Sequence, residues 1–300
     1  MKHVVSVSLG SSRGDFERTV RIDDHDVNLK RLGTDGNYDK ALEIIAELDG
    51  HVDAIGLGGI DIYLEVNRKR FVIGDGQRLA NAARRTPVVD GSGLKNTLER
   101  RVVDALFDSG RVTESSRVLL VGALDRFGMA EAFVERGCPC VFGDLIFTIG
   151  LDFPLTRLDE IDALAEKYRK RLETVPFHLL YPTGASQDDP ASDPIYSKYY
   201  VSADVIAGDA HLITKHLPTQ LDGPGIITNT TRPHTVAKMR DAGVAWLATT
   251  TPNFDGVSAG TNLIEAALVS IYGDSTGEIG TDRLREILNT LRWTGSVSDL

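Results

Sequence analysis

Apolar and polar residues alternate through HVVSVSLG (3–10), the period-two rhythm of a strand with one buried face. RTVRIDD and VNLKRLGTDG continue as two short strands of a hairpin-like unit. The rhythm then changes. In YDKALEIIAELDG the apolar residues Ala41, Leu42, Ile44, Ile45 and Leu48 recur at helical spacing, and Gly50 supplies a stop. VDAIGLGGIDIYLEV reads as a buried strand interrupted by glycines, KRFVIGDG as a short strand, and GQRLANAARR as a helix. TPVVDGSGL reads as a strand entering a glycine-rich turn, and KNTLERRVVDALFDSG as an amphipathic helix.

A polar stretch, RVTESS, separates this part from a cleaner pattern. RVLLVGAL, CPCVFGDLIF, ADVIAGDAHLI, GPGIITNTT and AWLATTTP read as strands, and FHLLYP as a sixth candidate. MAEAFVERG, LDEIDALAEKYRKRLETV and PHTVAKMRDAG read as helices between them. Alternation of this kind predicts an α/β fold with a parallel sheet covered on both faces. A polar loop from Thr183 to Pro194, opened by Tyr181–Gly184, is a candidate lid or plain surface. The reading divides the chain into an N-terminal α/β domain over 1–112, a nucleotide-binding-type domain over 113–260, and closing helices over 261–300.

Composition narrows the function. The 300 residues are 42% hydrophobic and 25% charged, enough for a packed core. A formal net charge of -10 argues against non-specific nucleic-acid binding, which needs a basic stripe, but leaves room for a basic pocket and a small anionic substrate. No leader-like start and no apolar run of about 18 residues is present, so neither secretion nor a membrane helix is expected. Cys138 and Cys140 flank a proline without further ligands at zinc spacing, so ordinary thiols, no metal and a cytoplasmic setting are expected. Asp209 and His211 alone are too few for a metal site. A homodimer is expected by general frequency only.

Candidate chemistry centres on VLLVGALDRFGMAEAFVERG. A strand, a turn bounded by Gly122 and Gly128, and a helix could place amides against a pyrophosphate. Asp144, after the next strand, could bond ribose hydroxyls and would favour NAD over NADP. The alternative is a tight structural turn. Asn229, Thr230, Thr231 and Thr250 stand at ends of later strands, where parallel sheets bind ligands; the two threonines after Asn229 could equally cap a helix. Gly58 and Gly59 read as a close backbone approach or a bulge.

The spacing G-A-L-D-R-F-G is similar to the cofactor turn of methylenetetrahydrofolate dehydrogenases. More broadly, VDAIGLGGID, TPVVDGSGLKNTLER, DRFGMAEA, FGDLIF, IITNTT and TTTP…SAGTNLIEA resemble bacterial proteins that carry the name quinate 5-dehydrogenase, relatives of the shikimate/quinate dehydrogenases. The resemblance implies a catalytic α/β domain, then a Rossmann-like doubly wound domain, with C-terminal helices packing back. It implies a cofactor site at Gly122, Asp125, Arg126, Phe127, Gly128, Met129 and the four strand-end residues above, with Arg126 near the phosphates and Asp125 turned away.

It also implies oxidation of a secondary alcohol on a quinate- or shikimate-like acid with NAD, or NADP. Lys95 would take the hydroxyl proton. Asp90 is its preferred acid partner and Glu99 the other nearby carboxylate, since Leu98 stands where the family has aspartate. Ser6 and Ser8 would echo the family's carboxylate clamp, with Gly58, Gly59, Ser92, Asn96 and Asn262 also at the substrate. Glu265 replaces a family glutamine. Two other readings stay open: an S-adenosylmethionine-dependent transferase, and a non-catalytic metabolite-binding protein on a dehydrogenase scaffold.

Overall fold

A computed structural model describes residues 1–174, 176, 194–254, 256–274, 277 and 279–300. The candidate strand FHLLYP and the candidate lid at Tyr181–Gly184 lie outside the described residues.

The fold is mixed α/β, with two main sheets. The first unit runs β1 (Lys2–Ser8), β2 (Phe16–Ile22), β3 (His25–Gly33), α1 (Tyr38–Leu48), β4 (Ala54–Gly58), β5 (Tyr63–Val66), β6 (Lys69–Val72), α2 (Gly74–Ala80), β7 (Val88–Val89), α3 (Ser92–Lys95) and α4 (Leu98–Asp108). Its sheet has the order β2-β3-β1-β4-β7 and is parallel except for the β2–β3 hairpin. The apolar run 52–66, expected as one strand, is two. The chain turns away after Gly58, and β5 instead pairs with β6 in a separate ribbon.

The second unit runs β8 (Val118–Leu120), α5 (Phe127–Glu135), β9 (Cys140–Phe142), α6 (Leu158–Leu172), α7 (Pro194–Val201), β10 (Val205–Ala207), α8 (Ala210–Lys215), β11 (Gly225–Thr228), α9 (Pro233–Asp241), β12 (Trp246–Thr249), β13 (Asn253–Phe254), β14 (Val257–Ser258), α10 (Thr261–Tyr272), α11 (Thr281–Leu291) and β15 (Ser296–Asp299). The sheet order is β15-β12-β11-β10-β8-β9, parallel save for the antiparallel edge β15. Residues Asp144–Thr148, expected to prolong a strand, form a π-helical turn.

Strand alternation sorts the core. Val118 and Leu120 face the hydrophobic cluster that also holds Val4, Leu57 and Ile264, whereas Leu119 and Val121 face a second cluster with Ile206 and Met239. The first cluster thus runs continuously between the two units. Helix α10 leaves the second unit and lies across β1 and β4 of the first. Gly56 permits this, because a Cβ there would stand 2.7 Å from the Asn262 carbonyl oxygen. The chain then returns, and β15 pairs with β12.

Candidate active site

The carboxyl ends of β1 and β4 face those of β8, β10 and β11 across a cleft of about 560 Å³. Carboxyl ends of parallel strands are where open α/β sheets take ligands. Lys95, the last residue of α3, is buried on this cleft. Its Nζ donates to Asp61 Oδ1 at 2.6 Å and also to Asp125 Oδ1. Asp61 follows the Gly58–Gly59 turn beyond β4, and Asp125 sits in the turn after β8, so the two units each supply one carboxylate.

This geometry reverses the expected state of Lys95. Burial alone would lower its pKa, but the Asp125 and Asp61 carboxylates outweigh burial and hold the ammonium above its ordinary range. Lys95 is therefore a fixed cation, not a neutral base. Asp61 is shifted upward as well. Burial first, and the neighbouring Asp125 charge second, push its pKa well above the usual carboxylate range. Burial would raise Asp125 too, yet Lys95 and Arg126 prevail and hold it low. Asp61 and Asp125 are also hydrogen-bonded to each other. The two carboxyls titrate as a coupled pair, Asp61 shifted up and Asp125 shifted down.

Asp90, expected as the partner of Lys95, is used otherwise. Its carboxylate accepts from the amides of Ile62 at 2.6 Å, Tyr63 at 3.3 Å and Ser92 at 2.9 Å. Three backbone donors claim both oxygens, so it shapes the cleft wall and leaves the pairing to Asp61. Glu99 is fully buried on Arg126, with Asn229 Nδ2 at 3.4 Å and Thr250 Oγ1 at 3.5 Å. Burial pushes the Glu99 pKa up, and Arg126 opposes the shift.

The glycine turn also departs from expectation. Arg126 donates to Glu99 and is 3% exposed, yet both it and Asp125 line the cleft, so Asp125 is not turned away as expected. Phe127 and Met129 belong to the hydrophobic core. Gly128 serves packing: a Cβ there would stand 2.9 Å from the Asn96 Cα, so the glycine lets α5 start against the end of α3.

Gly122 does line the cleft. However, the amides of Ala123 and Leu124 donate to the two carboxylate oxygens of Asp144 at 3.0 and 2.8 Å. Asp144 is buried, and burial raises its carboxyl to about 6 against the pull of the Leu124 and Ala123 amides. The residue expected to hold a ribose thus occupies the amides expected to hold a pyrophosphate. In this arrangement the Ala123 and Leu124 amides are not open to a pyrophosphate.

Among the remaining predicted residues, Ser6, Ser8, Gly58, Gly59, Asn229, Thr230 and Asn262 line the cleft. Asn262 Nδ2 donates to Ser6 Oγ at 2.7 Å. Thr230 adopts a φ of 55°, a strained conformation for a β-branched residue, at the cleft wall. Thr231 bonds Ser258 and does not cap α9, whose N-cap is Arg232. Thr250 is fully buried on Glu99. Ser92 and Asn96 bond the backbone, at Tyr63 and Ser92 respectively, and are not among the cleft-lining residues. Glu265 accepts from the Leu94 amide at 2.8 Å and so holds the start of α3.

Asp61, Arg31 and Arg232 also line the cleft and were not singled out as site residues from the sequence. The glycine pair before Asp61 was the available signal; Arg31 lies inside a strand and gave none. Asp209 caps α8 through the His211 and Leu212 amides, and no metal-holding group of His, Cys, Asp or Glu occurs among the described residues. No described helix is long and apolar enough to cross a membrane.

A family model described as a domain of unknown function, DUF8754, matches residues 93–300. The chain belongs to the DUF8754 family. A second model with the same description, DUF8753, matches residues 3–90, so the DUF8754 match begins between Asp90 and Lys95, within the cleft-forming segment. No curated protein matches. Among solved structures the DUF8754 chain is similar to an NAD-dependent malic enzyme from Thermotoga maritima, at 12% identity and a TM-score of 0.33, over 98% of this chain and 85% of that one. It is also similar to the periplasmic binding component of an arabinose transporter from Shewanella sp. ANA-3, at 11% identity and a TM-score of 0.36, over 97% and 98%. Scores of this size carry no argument about function.

Proposed function

We propose that the protein is an enzyme that moves a proton at an oxygen of a small hydroxylated anion bound in the cleft. The observation that carries this reading is the buried ammonium of Lys95 between two carboxylates of opposite pKa shift. Paired acids driven apart in this way are the usual mark of acid–base chemistry. Asp61 holds the mobile proton and exchanges it with a substrate hydroxyl or carbonyl oxygen. Lys95 remains positive and stabilises negative charge as it develops on that oxygen. Asp125 keeps Lys95 in place.

Oxidation of a secondary alcohol of a quinate- or shikimate-like acid by NAD or NADP, with reduction of the ketone as its reverse, is the reaction the sequence resemblance implies, and it needs this proton step. The Asp144-filled turn does not support a cofactor seated on its amides, so the proton step stands without an assigned hydride carrier. The same observation favours a second reading, a metabolite-binding protein without turnover. It weighs equally against S-adenosylmethionine at that turn.

The deciding experiment follows hydroxylated carboxylic acids and their keto forms by NMR, with and without NAD or NADP. Asp61→Asn should lower kcat by about 10² or more with KM within a few-fold. Turnover unchanged in that variant removes Asp61 from the chemistry, and no turnover of any compound by the wild type favours the binding-protein reading.

A further inference from the structure

We propose that Arg126 is a positioning residue that breaks the symmetry of the Asp61–Lys95–Asp125 group, so that Asp61 carries the proton and Asp125 the charge. The inference rests on the acid–base reading of the cleft. Lys95 alone does not set this order. Its Nζ donates to Asp61 Oδ1 at 2.6 Å and to Asp125 Oδ1 as well, and its charge draws both carboxyls in the same direction. Arg126 stands on the Asp125 side. Its Nε lies 3.8 Å from Asp125 Oδ2, the oxygen other than the one bonded to Lys95. Asp125 thus meets a cation at each oxygen. Asp61 instead has Asp90 as a further charged neighbour, which works against its ionisation.

Arg126 is anchored on its far side. Nη1 donates to the fully buried Glu99, and Nη2 donates to Asn229 Oδ1 at 3.4 Å. The buried Nε has no hydrogen-bond acceptor among the described residues. The guanidinium therefore acts on Asp125 by charge across 3.8 Å and leaves the hydrogen bonds of that carboxylate to Lys95 and Asp61. Asp144 on the π-helical turn, Glu99 on α4 and Asp209 before α8 also face this group. All three are carboxyls, so none of them holds Asp125 ionised. Burial is the competing cause: the Asp61 side chain is 8% exposed and that of Asp125 29%, which by itself favours a proton on Asp61. The two causes part when the guanidinium is removed.

The test is carbon NMR of the ligand-free, full-length protein labelled at the aspartate Cγ and followed over pH, with Asp61→Asn and Asp125→Asn identifying the two signals. In wild type the transition at higher pH should appear at Asp61 while the Asp125 signal stays at the carboxylate position. Arg126→Gln/Glu99→Gln removes both members of the buried pair and leaves neither charge unmatched. There the Asp61 midpoint should rise by about one pH unit, and Asp125 should take part in the same transition, because the proton is then shared. Arg126→Lys keeps the charge and should keep Asp125 silent. Should circular dichroism show the double variant unfolded, Arg126→Met/Glu99→Leu takes its place, since apolar replacement of a buried pair is often neutral or stabilising. A silent Asp125 without the guanidinium assigns the order to burial and overturns the proposal. So does an Asp125 signal that already titrates with Asp61 in wild type, or one that titrates as fully in Arg126→Lys as in the double variant. The outcomes separate it from the acid–base reading: the expected signals with Asp61→Asn fully active defeat only the latter, and a silent Asp125 in the double variant with Asp61→Asn inactive defeats only the former.

Discussion

Glu265 illustrates how a single buried carboxyl sets a pH response. It lies on α10, accepts from the Leu94 amide, and is pushed up to about 8 by burial and by the Asp90 charge. In the native state it therefore binds a proton over an interval, from about 4.5 to about 8, in which the unfolded chain releases it. The native state holds more protons there, so stability is full below the lower value and falls as pH rises through the upper one. Asp144, raised to about 6, acts with the same sign. Urea unfolding of wild type should show lower stability at pH 8 than at pH 5, by up to about 1.4 kcal/mol per pH unit for one such group. Glu265→Gln should lose less over the same interval; equal losses would show that Glu265 is not the titrating group. At this scale the sequence made Lys95 visible through the glycines around it. It hid the charge state of Lys95, because that is set by Asp61 and Asp125, which lie 34 and 30 residues away and meet it only in the fold.

The β8–turn–α5 element was legible as a strand, a turn and a helix because Val118–Leu120 are uniformly apolar and α5 starts with a core-facing stripe. Its chemistry was not legible, since nothing local says that Asp144 folds back onto the turn. Replacing that carboxylate should uncover the Ala123 and Leu124 amides. Asp144→Ala is expected to gain at least about ten-fold in affinity for ADP, a phosphate probe, and to lose about 1–3 kcal/mol of stability as two buried donors become unpaired. Calorimetry with ADP and a denaturant melt check both. Lost stability without any gain in affinity would mean that the turn is purely structural. The π-helical turn at Asp144–Thr148 escaped the pattern for a general reason: a short apolar run such as LIF reads alike in a strand and in a buried turn.

Across the whole molecule, the alternation of strands and helices made the α/β class readable, but the traffic between the units was not. The Glu99–Arg126 pair, at 0% and 3% side-chain exposure, joins α4 to the turn before α5. Removing Glu99 leaves the buried Arg126 charge only the more distant Asp125 and Asp209, each at 3.8 Å, so Glu99→Ala should cost about 3 kcal/mol. With the core continuous between the units, unfolding followed by tryptophan fluorescence and by circular dichroism should remain one coincident transition at a lower midpoint. Separate transitions would show that the pair alone couples the units. Strand β15 was missed because Ser296–Asp299 is exposed throughout and carries no apolar rhythm, its place being set by pairing with β12.

The path of α10 bears on the order in which the chain can fold during synthesis. The face of β1 and β4 that α10 covers is translated early, whereas α10 ends at Tyr272. At ribosomal rates of about 5–20 residues per second, the helix follows β4 by roughly ten to forty seconds. For that time a nascent sheet stands without its cover, and an apolar strand face in that state is a target for chaperones and for other nascent chains.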